Sequence, residues 1–193
     1  MLDSSSRSSE RRVSADEFRH AFRHHPAGVA IITADAGDGP VAMTVSSLAS
    51  VEIDPPTLVF SASGRSSGTP TIRKADTVVV HLLASDEVEL AKLGARSGID
   101  RFGPDVDWGR LPTGEPYYPH AGSWLRGRVV DRIEVHDSTL VVVEAIEARP
   151  PSAAASSESK PLVYHNRNWF VLGEKSMLPA KTVPFYTVYG RDE

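Results

Sequence analysis

The chain contains no cysteine. Disulfides, thiolate metal sites and cysteine nucleophiles are therefore excluded at the outset. No apolar run approaches the roughly 18–20 residues that a membrane helix requires. The N-terminal stretch MLDSSSRSSERR has no apolar leader core, so a soluble, cytoplasmic protein is expected. Net charge is small, −4 over 193 residues with both signs interspersed, and a basic stripe of the kind that binds nucleic acid is missing. No G-x-G-x-x-G follows a strand, which leaves no Rossmann crevice for a dinucleotide. Catalytic triads and metal-ligand sets are missing as well. His20 and His24 stand four apart, but with no third ligand at metal-site spacing they read as surface histidines.

What the chain does have is enough apolar residue, 40% of 193, for one domain with a real core. Residues 1–13 are Ser/Arg-rich and expected to be disordered. Ser14 to Glu17 reads as a capping box opening a short amphipathic helix through Phe18, Ala21 and Phe22. Val29–Thr33 is a strand, and the Asp35–Pro40 turn returns the chain as a hairpin into Val41.

The stretch VAMTVSSLASVEIDPP (41–56) is the most informative. Val41, Met43 and Val45 alternate with Ala42, Thr44 and Ser46, so one face is bulky and the other small and hydroxyl-bearing. The small face leaves room for something flat, and Ser47 extends the hydroxyl run. Pro55-Pro56 then stops strand pairing. Taken alone, the stretch also reads as a half-exposed edge strand with a hydroxyl-rich surface.

Thr57–Ala62 is a third strand. In the segment SASGRSSGTPTI (61–72), Thr69-Pro70 reads as an N-cap followed by proline at the first helical position. A helix start preceded by hydroxyls, Gly64, Gly68 and Arg65 can attract phosphate; the same composition also describes a solvated Ser/Gly loop. Thr77–Leu83 is a central apolar strand, and 86–96 a helix. Residues 104–119 form an ordered loop packing Trp108, Tyr117 and Tyr118. Strands follow at 123–135 and 139–148, then a flexible loop at 150–160. A last hairpin flanks Asn166–Asn168. Residues 173–193 form a C-terminal extension whose Phe185, Tyr186 and Tyr189 are expected to dock, with a second subunit as one candidate surface. Seven or eight short strands with hairpin connections indicate a mainly β fold, a closed or nearly closed barrel with a few short helices.

In order, PAGVAIITA, GPVAMTVSSLASVEIDPPTLVFSASGRSSGTPTIRKADTVVVHLL, DRFG and PLVYHNRNW resemble the flavin reductase-like family of FMN-binding split barrels. The resemblance runs from Phe18 to Leu172, and residues 14–172 are taken as the domain. It implies a homodimer of Greek-key split β-barrels holding FMN or FAD near the dimer interface. It also implies hydride transfer from NADH or NADPH and delivery of reduced flavin to a separate monooxygenase. By the same resemblance Thr44, Ser46 and Ser47 match the flavin-contacting strand. Ser61, Ala62, Ser67 and Thr69 match the phosphate-side segment, and Arg101 and Phe102 the Arg-Phe pair near ring or phosphate. Tyr164 and His165 match the strand lining the nicotinamide side, with His165 the one candidate for a catalytic role. No metal is implied.

Two positions depart from the family pattern. His136-Asp137-Ser138 stands where the reductases carry Gly-Asp-His, a histidine associated with the nicotinamide; His136 itself is expected to be a surface turn residue. Glu52 stands where relatives have serine, expected as a surface change in a loop. Because Ser138 lacks an imidazole, a flavin-binding protein without nicotinamide activity stays beside the reductase reading. A non-flavin dimeric scaffold is the third alternative and leaves the hydroxyl strand unexplained.

Overall fold

The computed structural model describes residues 12–150 and 160–177. The N-terminal tail up to residue 11, the loop at 151–159 and the aromatic extension at 178–193 lie outside the described residues.

The capping box is present at the start of α1 (Ala15–Arg23): the Ser14 hydroxyl accepts from the Glu17 N–H at 3.2 Å, and the Glu17 carboxylate accepts from the Ser14 N–H at 2.9 Å. Phe18 and Phe22 stack on one another but stay exposed. A two-residue strand β1 (Ala27–Gly28) leads into β2 (Ala30–Asp35). The Asp35 carboxylate accepts from Gly37 and Gly39 N–H groups at 2.8 and 3.2 Å, closing the turn into β3 (Pro40–Val45). Next come β4 (Ala49–Ile53), β5 (Pro56–Ala62), the single-turn helix α2 (Thr69–Ile72) and β6 (Thr77–Leu82). A 3-10 turn at Ser85–Glu87 precedes α3 (Val88–Ala95), and the irregular stretch after it carries β7 (Gly109–Arg110) and β8 (Pro116–Tyr117). The long strands β9 (Trp124–Val135) and β10 (Ser138–Arg149) and the hairpin β11 (Leu162–His165) with β12 (Asn168–Val171) complete the fold.

Seven strands form one antiparallel sheet in the order β3-β2-β6-β9-β10-β5-β4, and β1-β11-β12 form a second. The large sheet curls on itself, because Met43 and Val45 near one edge share a core with Phe60, Val141 and Val143 from the other half. No hydrogen-bonded ladder joins β3 to β4, so the sheets are split rather than closed into a barrel. A second core lies between β2 and α3, built on Ile31, Ala42, Ala91, Tyr118 and Leu162.

Four local expectations change. The strand β4, in a stretch to which the sequence assigns no strand, pairs with β5 from Ala49↔Val59 to Ile53↔Pro56; Pro55 falls in the turn. All five of its residues are exposed, so no buried face marks it. Glu52 consequently sits on this strand and not in a loop. The N-cap of α2 is Gly68, with Thr69 already the first helical residue. The small face of β3 receives a helix as well as bordering open space: Ala42 is buried, and the Thr44 hydroxyl donates to the Ala91 carbonyl at 2.7 Å.

That contact explains Gly94. A Cβ there would collide with the Thr44 hydroxyl and lie 3.1 Å from its backbone nitrogen. Gly94→Ala is therefore expected to lift α3 off β3 and destabilise the fold by about 1–3 kcal/mol, read as a lower urea midpoint at unchanged m-value.

His81 occupies the middle of the sheet and is fully buried. The Tyr118 N–H donates to its Nε2 at 3.1 Å, which leaves Nδ1 to donate to the Ile31 carbonyl at 3.2 Å. Burial pushes its pKa down to about 4. Between that value and the ordinary 6.5, the unfolded chain binds a proton that the folded one refuses. Stability from this group is fully present above pH 6.5 and declines as pH falls toward 4. The loss is on the order of 3 kcal/mol. Urea titrations of wild type and His81→Gln at pH 7.5 and 4.5 should show a smaller acid loss in the variant; equal losses would exclude the buried imidazole as the cause.

Candidate functional site

Three segments meet along one groove. They are the end of α1, the Ser46–Ala49 connection leaving β3, and the β11–β12 hairpin. A cavity of about 520 Å³ between them is lined by residues including Arg23, Ser46, Ser47, Tyr164, His165 and Arg167. A smaller one of about 190 Å³ adjoins it, sharing Ser46 and Tyr164 and adding Thr44, Ala95 and Trp169. The hairpin register sets Tyr164 directly opposite Trp169, and their rings lie 4.9 Å apart. Asn166 N–H donates to the Arg23 carbonyl at 3.0 Å, so the hairpin tip is tied to the end of α1.

The hydroxyls along this wall differ in their commitments. Thr44 is held by Ala91, as described. Ser47 Oγ accepts the Ser61 N–H at 3.0 Å and donates weakly to the Ser61 carbonyl at 3.4 Å, pinning the connection to β5. Ser46 is exposed and carries no hydrogen bond to the described residues. It is the free donor and acceptor where the two cavities join.

A second cluster lies past the end of α3. Arg101 donates from Nη1 to Ser67 Oγ at 3.4 Å and from Nη2 to the Arg96 carbonyl, while its Nε is buried without a hydrogen-bond partner. Ala95 lines the smaller cavity, so the carbonyl that holds Arg101 belongs to the very next residue. The Ser63–Gly68 loop is folded on itself. Thr69 is buried, and its hydroxyl donates to the Ser63 carbonyl at 2.5 Å. Gly64 backs against the Asp137 carbonyl so closely that any Cβ would overlap it. Arg73 clamps the same turn, donating to Thr139 Oγ1 at 2.6 Å and to the Asp137 carbonyl at 3.1 Å.

The structure thus brings Thr44, Ser46, Ser47, Tyr164 and His165 to one groove, and Ser67 and Arg101 to the adjoining cluster. Ser61 contributes through its backbone to Ser47. Ala62 is buried in the main core, so its side chain does not border the groove. Phe102 stacks on Tyr118 with centroids 5.7 Å apart and planes 8° apart, and meets Trp108 edge-on at 5.0 Å. It belongs to the aromatic packing beneath α3. The loop aromatics pack as the sequence predicts. Tyr118 donates its hydroxyl to the Arg101 carbonyl at 3.1 Å and thereby fixes where that arginine leaves the backbone. His136 is an exposed turn residue with φ 54°, and half-buried Ser138 starts β10 beside the Gly64 contact.

Four residues of the groove carry no sequence signal strong enough to single them out: Arg23, Ala95, Arg167 and Trp169. For Trp169 the available clue was its position opposite Tyr164 across a short hairpin.

Comparison with known proteins agrees with this geometry. A family model described as flavin reductase like domain matches residues 22–173. The NADH:FMN oxidoreductase of Rhodococcus qingshengii is 37% identical over 160 residues, which is 82% of each chain. The reductase component of 4-nitrophenol 4-monooxygenase/4-nitrocatechol 2-monooxygenase from Rhodococcus opacus is 32% identical over 133 residues, covering 69% of this chain and 71% of that one. A solved structure of a flavin reductase domain protein from Arthrobacter sp. FB24 superposes with a TM-score of 0.76 at 32% identity, over 83% of this chain and 96% of the other. A split antiparallel sheet, a hydroxyl-lined groove and a match spanning nearly the whole described fold lead to one conclusion: this chain belongs to the flavin reductase-like domain family.

Proposed function

We propose that the protein is an NAD(P)H:flavin oxidoreductase with FMN as its preferred flavin, FAD as an alternative and NADH as hydride donor. The observation that carries this reading is the convergence on one groove of Ser46, Tyr164 and Trp169 with Thr44 and Ala95. The residues fit a phosphorylated flavin. Ser46 has an uncommitted hydroxyl, and the buried Arg101 Nε has no hydrogen-bond partner among the described residues. A bound flavin would supply the redox chemistry, accepting hydride from the reduced nicotinamide.

The chain's own residues bind and orient. Ser46 would hydrogen-bond the polar edge of the ring, Ser47 holds the connection beside it to β5, and Thr44 shapes the wall. Ser67 and Arg101 would hold the phosphate, while Thr69 keeps their loop folded, Ser61 anchors Ser47 and Ala62 seats β5 in the core. Phe102 buttresses the chain beside Arg101. Tyr164 and Trp169 cover the groove and exclude water, and His165 stands at the nicotinamide side. Such a site works by positioning two rings, where holding them in register replaces a costly encounter.

The reduced flavin is passed to a separate monooxygenase component, by analogy with the relative from Rhodococcus opacus. The working form is a homodimer: the exposed apolar residues on β4 (Val51, Ile53), β9 (Val130, Ile133, Val135) and β12 (Phe170, Val171) are of the kind that dimers bury. No described helix is long and apolar enough to cross a membrane, and the location proposed is the cytoplasm, where NADH is available. A flavin carrier without nicotinamide activity is the second reading, favoured by Ser138 alone.

NADH consumption by the purified protein should depend on added FMN; flavin binding without any NADH or NADPH oxidation would select the carrier. Ser46→Val should weaken FMN about tenfold, the value of one hydrogen bond to a ligand, measured by flavin fluorescence quenching. Sedimentation should give twice the 20.9 kDa chain mass.

A further inference from the structure

The larger cavity has a cationic outer end. Arg23 and Arg167 line it together with His25 and His165, and no carboxylate is among its lining residues. Arg19, on the same rim, is engaged by Asp16 at 2.5 Å. The guanidinium groups of Arg23 and Arg167 have no ion pair or hydrogen bond to the described residues.

The backbone at the hairpin tip adds an independent observation. Asn166 and Arg167 both adopt left-handed conformations, with φ 48° and 62°. A two-residue hairpin of this shape favours Asn followed by Gly. Asn166 follows that preference. Arg167 does not, because a side chain there opposes the conformation that glycine adopts freely. An arginine with no partner among the described residues, kept in a strained setting at the mouth of a cavity, points to a ligand it must reach.

We propose that Arg167 and Arg23 form a subsite for the diphosphate of the nicotinamide dinucleotide, separate from the Ser67–Arg101 pair that takes the flavin phosphate. This rests on the flavin reductase reading and adds to it the residues that grip the cosubstrate. Two guanidinium forks match a diphosphate in charge and in bidentate geometry. The Asn166 bond to Arg23 holds both arginines on one rigid rim. The nicotinamide then extends inward toward Tyr164, and the adenosine stays at the open end.

The test uses calorimetry on the full-length, FMN-saturated protein with ADP as the probe. ADP should bind without displacing FMN, adenosine should not bind, and Arg167→Gly and Arg23→Gln should each weaken ADP about tenfold. The KM for NADH should rise by a similar factor in both variants. Glycine is at ease at position 167, so the Arg167→Gly protein should melt no lower than wild type and affinity losses cannot be ascribed to misfolding. Equal ADP affinity in wild type and variants would overturn the proposal. So would displacement of FMN by ADP, which would place the flavin phosphate in this subsite. A loss in Arg167→Gly confined to FAD would assign the rim to the flavin's own adenylate and overturn it too. Intact FMN binding with no ADP binding overturns the subsite alone, whereas a protein that binds no flavin overturns the reductase reading and the subsite with it.

Discussion

Everything at the groove depends on how closely α3 lies against β3. That approach is steric in origin: Ala42 and Thr44 are small on the facing strand, and Gly94 presents no side chain to them. The Thr44 hydroxyl then bonds to the Ala91 carbonyl, so a polar group half covered by the helix is satisfied. The helix end is thereby fixed in space. From that end follow the position of Ala95 at the smaller cavity and the position of the Arg96 carbonyl that receives Arg101. A helix one methyl group further away would move the cavity wall and the arginine together.

The remaining boundaries of the site are set by hydrogen bonds between distant parts of the chain. His81 connects the Ile31 carbonyl in the sheet to the Tyr118 amide in the irregular stretch. Tyr118 in turn holds the Arg101 carbonyl and stacks on Phe102. Burial pushes the Tyr118 phenol well above its ordinary pKa, so it remains a donor at and above neutral pH. The irregular stretch is also anchored by buried Glu115, paired with half-buried Arg126 at 2.7 Å. A loop rich in proline and glycine is thus tied to the sheet at these points.

How much of this was legible in the residues varies with what each signal measures. The Asp35–Pro40 turn and the Val/Ile runs of β2, β6 and β10 were readable because turn chemistry and burial both leave strong patterns. The strand β4 was not, since an edge strand with five exposed residues has no buried face to alternate. The small face of β3 was legible as a place of close approach, but spacing could not say that a helix would take much of it. The hydroxyl residues 44, 46 and 47 were read as a set, yet their commitments differ with the partner that folding brings up: Ala91, none, and Ser61. Phe102, matched through family resemblance to an Arg-Phe pair near ring or phosphate, also packs on Tyr118, a pairing that only the fold of the 104–119 stretch creates.

The pairing of β5 with β10 has a consequence for how the molecule is made. It joins Phe60 to Val141, segments separated by roughly 80 residues of chain, and such long-range ladders form slowly. On the ribosome, the β2–β3 and β4–β5 hairpins emerge well before β10 exists to join them. Until β10 has been synthesised, β5 offers a bare edge next to a half-built interior. Nascent chains of this protein therefore have a long interval in which trigger-type chaperones, or low expression temperature, decide between assembly and aggregation.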